Sequence, residues 1–176
     1  MRTNSIIKLV AAALMAAMTC VTTILIAVPS PAGGFIHPGD GFVILSGIIL
    51  GPFFGGLAAG IGSMLADIIL GFTTYAAATL IIKSLSAIIG VLVFRLLHKN
   101  KNLRVLPVIL AGVFGGITVT LGYFLFESFV LGLGVAAAVP NIIFNLVQNS
   151  FGIIVATLLF PLLHKVPQVR SIMEAK

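Results

Sequence analysis

Phe42-Val-Ile-Leu-Ser-Gly-Ile-Ile-Leu-Gly51-Pro52-Phe-Phe-Gly55-Gly56-Leu-Ala-Ala-Gly-Ile-Gly-Ser-Met-Leu-Ala-Asp67-Ile-Ile-Leu70 is the stretch on which the fold of this chain turns. Its single charge, Asp67, lies near the far end. A lipid hydrocarbon core is about 30 Å thick and is crossed by a helix of about 20 apolar residues. As one helix the stretch would reach roughly 43 Å, too far for one crossing. Gly51-Pro52 and Gly55-Gly56 stand at its middle, and such residues punctuate helices. The stretch reads as two helices, at about 41–54 and 56–70, joined by a tight turn.

On either side the composition stays apolar. The 176 residues are 60% hydrophobic and 8% charged, with a mean hydropathy of +1.25. A soluble domain carries about a quarter charged residues, so this chain cannot cover a water-facing surface. Its solvent is mostly lipid. Further spans are predicted at 6–28, ended by Pro29 and Pro31, and at 75–97, 107–130 and 140–163. The first 27 residues resemble a signal peptide, but the Ala-rich run is long and more spans follow, so it reads as a retained first helix. The expected fold is all-α: one membrane domain, 1–176, formed by a bundle of six transmembrane helices. The loop 29–41, with three prolines and four glycines, is too long for a tight turn and is expected to have a function. A second loop is expected at 131–139.

Charge sets the orientation. An even number of spans puts both termini and the 98–104 loop on one face. Arg2, Lys8, Arg95, Lys99, Lys101, Arg104, Lys165, Arg170 and Lys176 all fall there. Cytoplasmic loops are rich in Lys and Arg, so both termini are expected to be cytoplasmic. The same placement explains the +6 net charge without nucleic acid. The lone Cys20 leaves no disulfide framework, and no metal or cofactor site is expected.

The remaining charges, Asp40, Asp67, Glu127 and Lys83, all fall in the outer half of the predicted bundle. Charges within spans are costly and usually face a cavity or a partner. Asn141, Asn145, Gln148, Asn149 and Gly152 follow helical spacing and make one polar stripe on the sixth span. Amides both donate and accept hydrogen bonds, which suits a neutral heterocycle. Tyr75, Thr79 and Lys83 form a similar stripe on the fourth span, and Tyr123 and Glu127 are four apart on the fifth. Bland readings stand beside these. Lys83 could pair with Asp67 or Glu127 as structural glue, Asp40 could cap a helix, Asp67 could orient a neighbour, and Tyr123 could anchor at the interface. Asn and Gln often only bond neighbouring helices. His37 in the loop reads as solvated. The convergence at one depth favours a shared polar pocket open to the outside.

The first span carries small residues four apart, Ala12 with Ala16 and Ala13 with Ala17, a pattern that allows close helix approach. No phosphate-binding glycine loop is present, so the chain is not expected to hydrolyse nucleotide itself. No catalytic constellation is evident, and an enzymatic role is not expected. An intramembrane enzyme and a stand-alone small-solute carrier remain as rivals.

Six spans, the Ala-rich first helix, the outer loop with Gly39-Asp40-Gly41, Leu50-Gly-Pro-Phe-Phe-Gly-Gly56, Gly62-Ser-Met-Leu-Ala-Asp67-Ile-Ile-Leu-Gly71 and Ala77-Ala-Thr-Leu-Ile-Ile-Lys83 together carry a family likeness. Over nearly its whole length the chain resembles the substrate-binding S components of energy-coupling factor (ECF) vitamin transporters. Within them it looks most like the hydroxymethylpyrimidine or vitamin B6 branch. The resemblance implies a multi-pass protein of the bacterial plasma membrane that captures a small vitamin at the outer face under a lid formed by the first outer loop. It implies a membrane scaffold subunit and two cytoplasmic ATPases as partners, docked through Ala12 and Ala16, with Ala13 and Ala17 one step on. The expected ligand-binding residues are Lys83, Asn141, Asn145, Glu127, Tyr75, Asp40, Thr79 and Gln148.

Overall fold

The computed structural model describes residues 2–29, 34–98 and 105–174. Loop positions 30–33 and the basic residues Lys99, Lys101, Arg104 and Lys176 lie outside the described residues. The described chain is helical apart from one small hairpin: α1 (Arg2–Leu25), β1 (Val28–Pro29), β2 (Phe35–Ile36), α2 (Asp40–Ile69), α3 (Thr73–Leu97), α4 (Leu106–Leu125), a π-helical turn (Phe126–Val130), α5 (Val135–Leu163) and α6 (Pro167–Glu174). Large apolar side chains such as Leu14, Phe53, Ile81, Leu96, Phe129, Ile143 and Leu158 stand exposed around the bundle. An apolar belt of this extent belongs against lipid. The chain is a multi-pass membrane protein.

Among the described residues, five helices are long and apolar enough to cross a membrane, one fewer than the six spans expected. The difference lies in α2, which runs through both helices predicted at 41–54 and 56–70. It is not straight. Gly51 has φ 83° and ψ 179°, a conformation essentially restricted to glycine. The chain doubles back there. A side chain added at Gly55 would strike the backbone of Ser46 and Gly47, whereas nine residues of straight helix would hold these positions about 13.5 Å apart. The arms 40–50 and 52–69 therefore lie against each other, with the break a few residues earlier than the sequence suggested.

Close approaches arrange the other helices around these arms. The first arm meets α3 at Gly47, which abuts the Ala87 backbone, and meets α5 where Gly152 sits against Asp40. The second arm meets α1 at Gly62, against the Ala16 carbonyl and Thr19, and α3 at Gly60, against Leu80 and Ser84. Ala12, Leu50, Phe94, Val108, Phe160 and Ile172 belong to one apolar cluster. Phe94 and Phe160 meet edge-on at 5.5 Å. Of the described basic residues, Arg95, Lys165 and Arg170 fall at this end, and Arg95 reaches Gly51.

Two further expectations need correction. α5 begins at Val135, not Pro140, because the helix-favouring run Ala136-Ala137-Ala138 extends it backward. Pro140 is accommodated inside the helix, where it forgoes one backbone hydrogen bond. The tail is not simply polar: α6 starts with Pro167 in its first turn, a favoured place for proline, and buries Ile172.

Candidate functional site

At the opposite end from Arg95, the helices splay around a cleft enclosing about 510 Å³ of atom-free space, its mouth included. Gly34, Phe35 and His37 border it from the hairpin, Asp67 and Phe72 from the α2–α3 corner, and Tyr75 and Thr79 from α3. Tyr123 and Glu127 come from α4 and its π-helical turn, and Asn141, Phe144, Asn145 and Gln148 from α5. Five of these are aromatic, so the walls can stack on a flat ring while the polar groups address its edge.

The polar groups hold one another in place. Asn141 Nδ2 donates to Glu127 Oε2 at 2.9 Å, and Tyr75 Oη donates to Glu127 Oε1 at 3.5 Å. Thr79 Oγ1 lies 2.8 Å from Tyr123 Oη, and either hydroxyl can donate. The π-helical turn places Glu127. One extra residue per turn shifts the helix phase, and such turns recur at functional sites.

Two of the predicted site residues do not line the cleft. Lys83 Nζ lies 2.5 Å from Asp40 Oδ1, both side chains buried, in an ion pair beneath the cleft floor. Lys83 thus pairs with Asp40 rather than with Asp67 or Glu127. Its ammonium also sits 5.5 Å from the centre of the Tyr123 ring, within cation–π range. Gln148 joins the two layers: its Nε2 donates to Asp40 Oδ2 at 2.9 Å while the residue borders the cleft above. Tyr75, Thr79, Glu127, Asn141, Asn145 and Gln148 are brought together on the cleft wall.

Sequence reasoning missed several lining residues. Phe144 was legible, three residues from Asn141 and four from Gln148 on the same stripe. Asp67 and Tyr123, placed among the polar groups of the outer half but not among the expected ligand-binding residues, both face the cleft. Phe35 and His37 had no local signal, since only the folded hairpin brings them in. His37 is buried, not solvated: it is 7% exposed and its Nδ1 lies 3.2 Å from Thr23 Oγ1 on α1. Burial lowers its pKa from 6.5 to about 4. Asp40 pulls it up and Lys83 pushes it down by smaller amounts.

The paired alanines of α1 are sent different ways. Ala12 is buried, and the Ala16 backbone packs on Gly62 of the second arm. Ala13 and Ala17 are exposed.

Comparison with known proteins agrees with this architecture. A solved S component of a bacterial ECF transporter shares the fold at a TM-score of 0.65, with 19% identity over 90% of this chain and 95% of that one. An uncharacterised protein of Pyrococcus woesei, from the 3′ region of gap, is 37% identical over 136 residues, 77% of this chain and 86% of its own length. The family model described as ECF-type riboflavin transporter, S component, matches residues 3–165. The chain therefore belongs to the ECF-type riboflavin transporter S components, non-enzymatic subunits that bind a small molecule and work with an ECF module.

Proposed function

We propose that this chain is the vitamin-capturing subunit of an ATP-driven importer of the bacterial plasma membrane. In this reading it crosses the membrane six times, with both termini cytoplasmic. The fold-back at Gly51 supports counting the two arms of α2 as separate crossings. The gathering of Arg95, Lys165 and Arg170 at the end opposite the cleft supports the orientation, by the positive-inside rule.

The observation that carries the proposal is the cleft itself: aromatic walls and a ring of mutually oriented polar groups, at the end away from the basic residues. Its ligand is a flat, water-soluble, heteroaromatic vitamin. The family description points to riboflavin. Hydroxymethylpyrimidine and pyridoxine-like rings share the chemistry of ring nitrogens flanked by hydroxyls, and the resemblance of the sequence to that branch keeps them as the second reading. Residues 34–39, pinned by His37, form the inner part of a lid. Ala13 and Ala17, exposed on α1, face a membrane scaffold subunit that couples to two cytoplasmic ATPases.

Reconstitution in liposomes tests this. With scaffold and ATPase subunits, uptake of radiolabelled vitamin is expected only when ATP is supplied, and the chain alone is expected to bind without transporting. Net flux through the chain alone would favour a stand-alone carrier. Chemical conversion of the ligand would favour an enzyme.

A further inference from the structure

We infer that Asp67 is a specificity-determining residue that takes a hydrogen-bond donor of the ligand, and that the cleft accepts the unphosphorylated vitamin while rejecting its phosphate ester. This inference rests on the vitamin-binding reading above.

Among the described residues, few buried side-chain polar atoms lack a partner, and Asp67 Oδ2 is the one that belongs to the cleft wall. Asp67 is 6% exposed, so water does not readily satisfy that oxygen. The cleft-wall hydroxyls of Thr79 and Tyr123 are paired with each other at 2.8 Å. A buried carboxylate oxygen without a donor is costly, and in a binding cleft an amino, ring N–H or hydroxyl hydrogen of the ligand removes that cost. Glu127 is served differently, by Asn141 and Tyr75.

The charge of the wall points the same way. Its described residues include two carboxylates, Asp67 and Glu127, and no lysine or arginine. Lys83 is committed to Asp40 below the floor. His37 faces the cleft from the lid with Nδ1 engaged by Thr23. A phosphate monoester would set a dianion beside two carboxylates with no free cation on the wall, and like charges brought together in this way select against a ligand strongly.

The test uses purified full-length protein in detergent. Riboflavin is titrated against flavin mononucleotide, and pyridoxal against pyridoxal phosphate. The unaltered protein is expected to bind the ester at least about tenfold more weakly than the parent vitamin. Asp67→Asn, nearly isosteric, is expected to weaken binding of the parent vitamin about tenfold or more and to narrow the gap to the ester. Thermal unfolding of the variant checks that it is folded, and ester discrimination by the unaltered protein needs no variant. Vitamin binding with equal affinity for the ester, or with Asp67→Asn indistinguishable from the unaltered protein, overturns the inference and leaves the transport reading standing. Failure of all four compounds to bind overturns both.

Discussion

Lys83 is the largest fully buried side chain described, and it carries a charge. An ammonium in such a place persists only with a matched partner, which Asp40 supplies with help from Gln148. Removing one partner strands the other. Lys83→Met is expected to destabilise the protein by about 3–5 kcal/mol, and adding Asp40→Asn should recover much of the loss, as thermal unfolding of the single and double variants would show. A double variant no better than Lys83→Met alone would mean that the pair is not coupled. His37 offers a second test at this scale. Its pKa in the docked lid, about 4, lies below the ordinary 6.5, so the free lid binds a proton that the docked lid refuses. Docking is therefore fully favourable above about pH 6.5 and is lost as the pH falls toward 4. At pH 5 the loss relative to pH 7.5 is about 2 kcal/mol. Vitamin affinity should fall accordingly, and His37→Gln should flatten the profile; an equally steep profile in that variant would exclude His37 as the cause. The sequence made Lys83 conspicuous but not its partner: Asp40 lies forty-three positions away, and only the packing of the first arm on α3 joins them.

The helices were legible wherever an apolar run met a proline, a glycine or a charged loop. Proline-bounded α1 and the helix ending before the 98–104 loop came out nearly as expected. The failures have particular causes. The polyalanine run before Pro140 extended α5 backward, and the turn at Gly51 is so tight that the two arms of α2 follow one another with no loop between them. The π-helical turn at Phe126–Val130 left no sequence signature, because it depends on how α4 and α5 meet. Helix α1 was legible as a small-residue surface, but not as to which pair of alanines faced where. Packing on Gly62 settles that, and it predicts two different outcomes. Ala13→Trp with Ala17→Trp, on the exposed face, should abolish ATP-driven uptake and co-purification with the scaffold while leaving vitamin affinity within about twofold, since scattered surface changes rarely exceed 0.5 kcal/mol. Ala12→Trp should lower the unfolding temperature, because overpacking a filled site costs about 1–3 kcal/mol. Normal uptake by the first variant would remove α1 as the docking helix.

At the scale of the molecule, the two ends of the bundle differ in kind. One end gathers Arg95, Lys165 and Arg170 with a packed apolar cluster that includes Phe94, Phe160 and Ile172. The other opens into a cleft whose polar groups are cross-braced but whose Asp67 keeps an unused acceptor. This polarity was the most readable feature of the sequence, since charge depth follows from counting residues along each span. The aromatic lining was the least readable, since Phe35 and Phe72 meet at 5.0 Å only in the folded protein. Vitamin capture requires a solute to enter that cleft without energy input. Equilibrium titration of the purified chain with riboflavin, hydroxymethylpyrimidine and pyridoxine, in the absence of ATP and partner subunits, tests it most directly. Saturable one-to-one binding of at least one of them, with a dissociation constant below about 1 μM and strongly weakened by Asn141→Ala, is the expected result; no saturable binding of any of the three would contradict it.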